Sequence, residues 1–525
     1  MAETITPEQL RHHWVNRTEI ALLDVREEEP YADAHPFFAL TVPVSEIEVK
    51  LPALVPRLSV PIVVYDSGEG YVERAATLIL ALGYRHVSIL QGGLSAYAQV
   101  GEIFRDVNVP SKAFGELVEA IRHTPSKPAP EIKRVIENEK DVVVLDARRY
   151  EEYHTMSIPR GQSCPGGELL YRVFEAAPDP GTSVIVHCAG RTRSIIGTQS
   201  LVNAGIGNKV HALENGTIGW TLAGFELDTG KIERVGPPSA GAVQKAQEHA
   251  RRWAKHVGVP VIGADTLKAF AGEAESRTLY LLDVRDPSEY AQGHPEGFIS
   301  APGGQLVQAT DEWVGVRGAR IVLYDNDGVR ALMTASWLLQ LGWDVHVFQD
   351  GISVPAGLPH AQQASWDIPN SGFITVEDLR KLPDATIVDL ARSPAYRKGH
   401  IPNAWFASGP ELIRDLKQVP GSGPIVLTSP DGKIAAANLE HARKNVPREI
   451  LYLAGGTASW KASGHELETE QRWLSEPIDV YKRPYEGTEN AEKDMQGYID
   501  WEHGLVAQVA NDGIAGFHVV RGIDA

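Results

Sequence analysis

The chain has 525 residues, with 50 Lys or Arg against 68 Asp or Glu and a formal charge of −18. That length exceeds one ordinary hydrophobic core and sets an expectation of about three or four domains; 43% hydrophobic and 22% charged residues is globular rather than disordered composition. So acidic a molecule repels phosphate backbones, which excludes general nucleic-acid binding and requires a local positive site for any anionic ligand.

From the first residue on, "MAETITPEQLRHHW" lacks a basic segment followed by an apolar one, so no secretory leader is expected. His12–His13 on this first helix read as a solvated pair. No apolar run reaches the ~18 residues of a membrane helix. The two cysteines, Cys164 and Cys188, are too few for a disulfide framework. A cytoplasmic protein without membrane contact is expected.

The chain then repeats one plan four times. An apolar strand ends in Asp24 ("ALLD"), and again in Asp146 ("VVVLD"), Asp283 ("LYLLD") and Asp389 ("ATIVD"). A tyrosine follows seven positions later each time, at Tyr31, Tyr153, Tyr290 and Tyr396. Next comes a Gly-His-x-Pro-like loop, "AHPFF", "MSIPRG", "GHPEG" and "GHIPNA", in which the second copy carries Met156–Ser157. A second apolar strand follows, "PIVVYD", "SVIVHC", "RIVLYD" and "PIVLTS", then a stretch of helical spacing. Each copy closes on a short strand and a glycine turn, "ILQGGLSAY", "ALENGTIGW", "VFQDGISVP" and "YLAGGTASW". The spacing holds without gaps: Asp66 to Gly83, Cys188 to Gly205 and Asp325 to Gly342 each span seventeen positions.

Apolar strands alternating with helices imply an α/β fold, four tandem modules that are each a mainly parallel sheet flanked by helices. The boundaries are placed at 1–108, 109–236, 237–370 and 371–470, with connecting segments around 101–123, 230–258 and 355–370. A tail, 471–525, contains an amphipathic helical run from Glu489 to Val509. It is too short for its own core and is expected to pack on the repeats or on a second subunit, which leaves a homodimer open.

Chemistry concentrates in "TSVIVHCAGRTRSIIG", Thr182 to Gly197. In parallel sheets ligands bind where strands run into helices, so Cys188 is expected at the mouth of a site. A thiol there meets unpaired N–H groups and the positive end of the helix dipole, with Arg191 and Arg193 adding full charges. Such settings bring a cysteine pKa from ~8.5 to ~3.5–7.5, so a thiolate is expected. The same donors cradle an incoming anion. A lone strand-end cysteine is otherwise commonly an inert small hydrophobe, but that role has no use for two cations.

The plan of the repeats and the loop Cys188-Ala189-Gly190-Arg191-Thr192-Arg193 resemble the rhodanese superfamily of thiosulfate sulfurtransferases. Over residues 1 to about 470 the chain resembles bacterial proteins with four such modules in tandem. Asp-x-Arg after the first strand (Asp24–Arg26, Asp146–Arg148, Asp283–Arg285), the Gly-His-x-Pro loop and the late Gly-Gly-x-x-x-aromatic turn (Gly92–Tyr97, Gly455–Trp460) carry the resemblance with it. It implies a ping-pong sulfur transfer. Cys188 thiolate takes the outer sulfur of a small anionic donor such as thiosulfate, releases sulfite, and passes the persulfide sulfur to a thiophilic acceptor such as cyanide or a thiol. Arg191 and Arg193 then bind the sulfonate, and the loop from Ala189, Gly190 and Thr192 to Ser194 holds the charged sulfur. No metal and no organic cofactor is expected.

Two other classes stay open. One is a protein-to-protein sulfur relay whose inert modules dock partners. The other is a phosphatase or arsenate reductase, disfavoured because His-Cys-x5-Arg needs one more residue than "HCAGRTR" supplies.

Aligned on the second apolar strand, Asp66, Asp325 and Ser429 replace Cys188 in the other modules, which are therefore expected to be inactive. Cys164 aligns with Ala301 and reads as a small packing position, with a resolving thiol as the sharper hypothesis. Asp146 and Arg148 read as a structural pair, and His187 as an inward-facing group that positions the loop. Arg160 and Glu168 are expected to line the entrance.

Overall fold

The structure, a computed structural model, describes residues 3–350 and 364–523. The turn glycine Gly351 and residues 355–363 of the third connecting segment lie outside the described residues.

The described residues form four five-stranded sheets, every one all-parallel and in the strand order 1-5-4-2-3. The Asp-ending strand is second in each and lies beside the fourth. "PIVVY", "SVIVH", "RIVLY" and "IVLT" form that fourth strand and are buried almost throughout. β-Branched residues suit a strand covered on both faces, where no polar face is needed. The register sets Asp24, Asp146, Asp283 and Asp389 beside Tyr65, His187, Tyr324 and Thr428, the last residues of the fourth strands.

The repeated tyrosines have a structural task. Each hydroxyl donates to the carbonyl eight residues on, at Ala39, Gly161, Phe298 and Ala404, over 2.8–3.0 Å. This staples the helix after the second strand to the start of the third. In the first, third and fourth modules the ring also stacks on the loop histidine, at centroid distances of 4.1, 3.8 and 3.9 Å for His35, His294 and His400.

The chain divides into two compact units. One contains the first and fourth modules with the start of the tail (residues 1–12, 20–107 and 362–481), the other the second and third with the rest of the tail (13–19, 108–361 and 482–525). Within the second unit, Pro165-Gly166-Gly167 meets Pro302-Gly303-Gly304 glycine to glycine. A Cβ on Gly167 would lie 2.7 Å from the Gly304 nitrogen, and one on Gly304 2.7 Å from the Gly167 nitrogen. Arg330 of the third module, fully buried, donates to Glu168 of the second at 2.8 Å and to Asp327 and Glu289 of its own. The first unit joins its modules through the equivalent segments: Asn438 Nδ2 donates to the Ser45 carbonyl at 2.8 Å and Tyr71 to Glu411 at 2.8 Å.

Two segments read as connections contain helices, Val109–Arg122 and Ala240–Val257. The second buries Ala246, Ala250 and Trp253, whose indole donates to Ser336 at 3.2 Å. The tail helix runs from Glu492 to Asp512 and packs on Val109–Arg122 of its own chain. Among the described residues no helix is long and apolar enough to cross a membrane.

Candidate active site

Cys188 follows the fourth strand of the second module, Ser183–His187, and precedes the helix Thr192–Ala204. Its Sγ accepts the Ser194 backbone N–H at 3.3 Å, and Ser194 Oγ donates to the Arg191 carbonyl at 2.8 Å, closing the loop on itself. The glycine turn holds the loop from behind: Thr217 and Ile218 N–H groups donate to the Cys188 and Ala189 carbonyls at 2.9 and 3.0 Å. Gly216, at φ +54, permits this approach, since a Cβ there would lie 2.7 Å from the Ala189 carbonyl carbon. Among the described residues, the backbone N–H groups of Ala189, Gly190, Arg191, Thr192 and Arg193 donate to no protein acceptor.

The electrostatics correct the expectation of a thiolate in the resting site. Cys188 is only 2% exposed. Burial pushes its thiol up from the ordinary value; Arg193, the Ser194 N–H and Arg148 pull it down without overcoming desolvation. Neither arginine is a free clamp. Arg191 forms a bidentate pair with Glu116 at 2.7 and 2.9 Å and also reaches Asn215 at 3.0 Å. Arg193 forms another with Glu152 at 2.6 and 2.7 Å.

Behind the loop lies a buried network. Asp146 and Arg148 form the expected structural pair, with Nε and Nη2 contacts of 2.9 and 2.7 Å, and Arg148 also donates to the Met156 carbonyl. Desolvation alone would raise the Asp146 carboxyl, yet Arg148 and His187 hold it down at about 2. His187 faces inward as expected: its Nε2 lies 3.3 Å from Ser157 Oγ and 3.5 Å from Asp146, and burial pushes it down to about 4, so the ring is neutral. The departure noted at Met156–Ser157 thus has a counterpart. Where the other modules place a histidine on the loop and Tyr or Thr on the strand, the second places Ser157 on the loop and His187 on the strand.

A family model for the rhodanese-like domain matches residues 6–100, 129–223, 264–354 and 375–463. The chain belongs to the rhodanese family. Over 99% of its length, at 47% identity and a TM-score of 0.93, it is similar to the whole of a thiosulfate sulfurtransferase from Pseudomonas aeruginosa known from its crystal structure. The Alr3790 protein of Anabaena sp. is 28% identical over 21% of this chain and 86% of its own, with a TM-score of 0.18. An HTH-type transcriptional regulator of Mycobacterium tuberculosis is 29% identical over 90 residues, 17% of this chain, and the chain spans 39% of that curated relative.

In the three rhodanese modules without cysteine, Asp66, Asp325 and Ser429 stand at the end of the fourth strand as the alignment expects. Asp66 accepts the N–H groups of Gly68, Gly70 and Tyr71 at 2.7–3.1 Å. Asp325 accepts those of Gly328, Val329 and Ala331 at 2.7–3.1 Å. Ser429 Oγ accepts from Ala435 at 3.3 Å, six positions on, as Cys188 does from Ser194. In the first and third modules the loop after the fourth strand is thus a cradle of N–H donors filled by the module's own carboxylate.

The remaining sequence candidates lie elsewhere. Arg160 does not line the entrance. Its guanidinium donates to the carbonyls of Ile136, Glu139, Lys140 and Val142 at 2.8–3.4 Å, at the amino end of the sheet and opposite Cys188. Glu168 is buried and bound to Arg172 and Arg330 at 2.7 and 2.8 Å. It borders a cleft between the second and third modules that Cys188 does not line. Cys164 is fully buried and burial raises its thiol strongly, the behaviour of a packing residue.

Sequence reasoning missed the groups that distant helices bring. Val109–Arg122 supplies Glu116 and Lys112, and the tail helix supplies Met495, Tyr498, Ile499 and Glu502. Ala189 and Ile218 pack with Tyr485, Met495, Tyr498 and Ile499 in one apolar cluster, so the tail covers the loop. The amphipathic run was the one available signal, and it carried no address.

Proposed function

We propose that this protein is a sulfurtransferase that moves sulfane sulfur from thiosulfate, or a similar small anion, through a persulfide on Cys188. One observation carries the reading: among the described residues the five N–H groups after Cys188 bond to no protein acceptor, whereas Asp66 and Asp325 take up equivalent donors in the modules without cysteine. The whole-length similarity to a thiosulfate sulfurtransferase supports the choice of donor.

Cys188 Sγ attacks the outer sulfur of thiosulfate. The bond from that sulfur to the sulfonate breaks, its electron pair leaves on sulfite, and sulfite carries off the thiol proton as hydrogensulfite. The resulting persulfide anion rests in the N–H cradle at the helix terminus. A thiophilic acceptor then attacks the outer sulfur and restores Cys188; cyanide leaves as thiocyanate. Because Glu116 and Glu152 hold both guanidiniums, Arg191 and Arg193 act as fixed positive charges beside the loop, and the backbone meets the sulfonate. His187, neutral and buried, holds the loop rather than moving a proton. The two free thiols suit a reducing compartment such as cytoplasm.

Mass spectrometry of the full chain after thiosulfate, with peptide mapping, tests this. One added sulfur is expected on the Cys188 peptide, and Cys188→Ser should lose both that adduct and thiocyanate formation. Thiocyanate production that persists in this variant would defeat the assignment.

A further inference from the structure

The tail helix brings a carboxyl group against the persulfide loop. Glu502 is 0% exposed. Its Oε1 accepts from the Tyr498 hydroxyl at 2.8 Å and lies 3.5 Å from Thr192 Oγ1. Its Oε2 has no hydrogen-bond partner among the described residues. A Cβ built on Gly190 would stand 3.5 Å from that Oε2 and 3.2 Å from the Tyr498 ring. The bare oxygen therefore faces the loop backbone between Cys188 and Arg191, across a gap that a larger residue than glycine would close.

We propose that Glu502 is a specificity-determining residue of the Cys188 site, which as a carboxylic acid admits an anionic sulfur donor to the loop and as a carboxylate repels it. The proposal rests on the sulfurtransferase reading for the identity of the anion.

The charged groups around Glu502 come from three elements. Lys112 and Glu116 project from the helix Val109–Arg122, Arg191 from the loop, and the Tyr498 hydroxyl from the tail helix itself. Lys112 Nζ stands 5.7, 5.2 and 5.5 Å from the ring centroids of Tyr485, Tyr498 and Trp501. Burial, reinforced by Glu116, pushes the Glu502 carboxyl up to about 7, against the pull of Lys112, Tyr498 and Arg191. With Arg191 and Arg193 paired to Glu116 and Glu152, one more negative charge at Glu502 tips the loop from receptive to repulsive. Below neutrality the carboxyl is protonated and an oxyanion meets an uncharged wall. Above it the oxyanion meets a buried charge that solvent screens little.

Alkylation of Cys188 by iodoacetate and by iodoacetamide reads this directly. The reagents differ by one negative charge, and the thiolate fraction cancels in the ratio of their rate constants. Peptide mapping separates Cys188 from Cys164. The iodoacetate to iodoacetamide ratio should fall about tenfold between pH 6 and 8.5 in the wild type. In Glu502→Gln it should stay near the wild-type value at pH 6 throughout. A flat ratio in the wild type, an equal fall in the variant, or failure of both reagents to label Cys188 would overturn the proposal. The wild-type profile needs no variant to fold. Alkylation needs no sulfur transfer, so its outcome stands apart from that of the persulfide experiment.

Discussion

The Asp146 carboxylate serves three neighbours at once. It takes a bidentate contact from Arg148, a hydrogen bond from Ser157 Oγ at 3.1 Å, and lies 3.5 Å from the His187 ring. Arg148 is 1% exposed, so removing its counter-charge strands a buried cation. Asp146→Asn should therefore cost about 3–5 kcal/mol, read as a lower urea midpoint, while Ser157→Ala, which removes the hydroxyl's hydrogen bonds with Asp146 and His187, costs about 1–2 kcal/mol. Equal small effects would show that Arg148 finds another acceptor. At this scale Cys188 was legible because it is rare, ends an apolar strand and precedes two cations. Its ionisation was misread because burial raises the thiol against the pull of Arg193, and what covers the loop is remote in sequence, as are the partners of the cations: Glu116 is 75 positions from Arg191 and Glu152 is 41 from Arg193. Charges adjacent in sequence are visible on the page, whereas counter-charges delivered by folding are not.

The strand–loop–helix element states the chemistry most economically, because the chain presents it with sulfur, carboxylate and hydroxyl at one position. If the loop is an anion cradle, a carboxylate at 188 should be welcomed as it is at 66 and 325. Cys188→Asp is expected to be inactive in sulfur transfer yet about 1–3 kcal/mol more stable than Cys188→Ala, from charge-assisted bonds to backbone N–H groups. A Cys188→Asp protein less stable than the alanine variant would mean that desolvation of the carboxylate wins and that the cradle lacks the donors assigned to it. The element was readable in advance because its period is local: apolar runs, a fixed spacing from the strand end to the glycine, and a turn glycine that must lie against the loop carbonyl. Gly93 shows the same requirement, since a Cβ there would lie 2.7 Å from the Asp66 carbonyl oxygen. The helices Val109–Arg122 and Ala240–Val257 escaped notice because they fall between repeats, where no second copy marks their register.

At the scale of the molecule, modules adjacent in sequence are not always partners: the first shares a unit with the fourth, and the second with the third. The repeat pattern shows four equivalent modules and holds no information on pairing, which depends on surfaces such as the Gly167–Gly304 contact. Pairing the first with the fourth buries acidic groups together. Glu27 is 4% exposed; burial foremost, then Glu46 and Asp479, pushes its carboxyl up to about 8 against the pull of Arg392 and Lys50. A raised carboxyl destabilises the fold where the unfolded chain ionises and the folded one does not. Below pH 4.5 both states hold the proton and nothing is lost. From 4.5 to about 8 the unfolded state gains its charge first, so stability falls as pH rises, and above 8 the loss levels off. Glu27→Gln removes this dependence and no other, since every remaining group is common to both proteins. The two should unfold at the same urea concentration at pH 4.5, and the variant should be more stable by about 2–4 kcal/mol at pH 8. Coincident midpoints at both pH values would mean that Glu27 ionises in the folded protein, with Arg392 and Lys50 balancing its charge where the two modules meet.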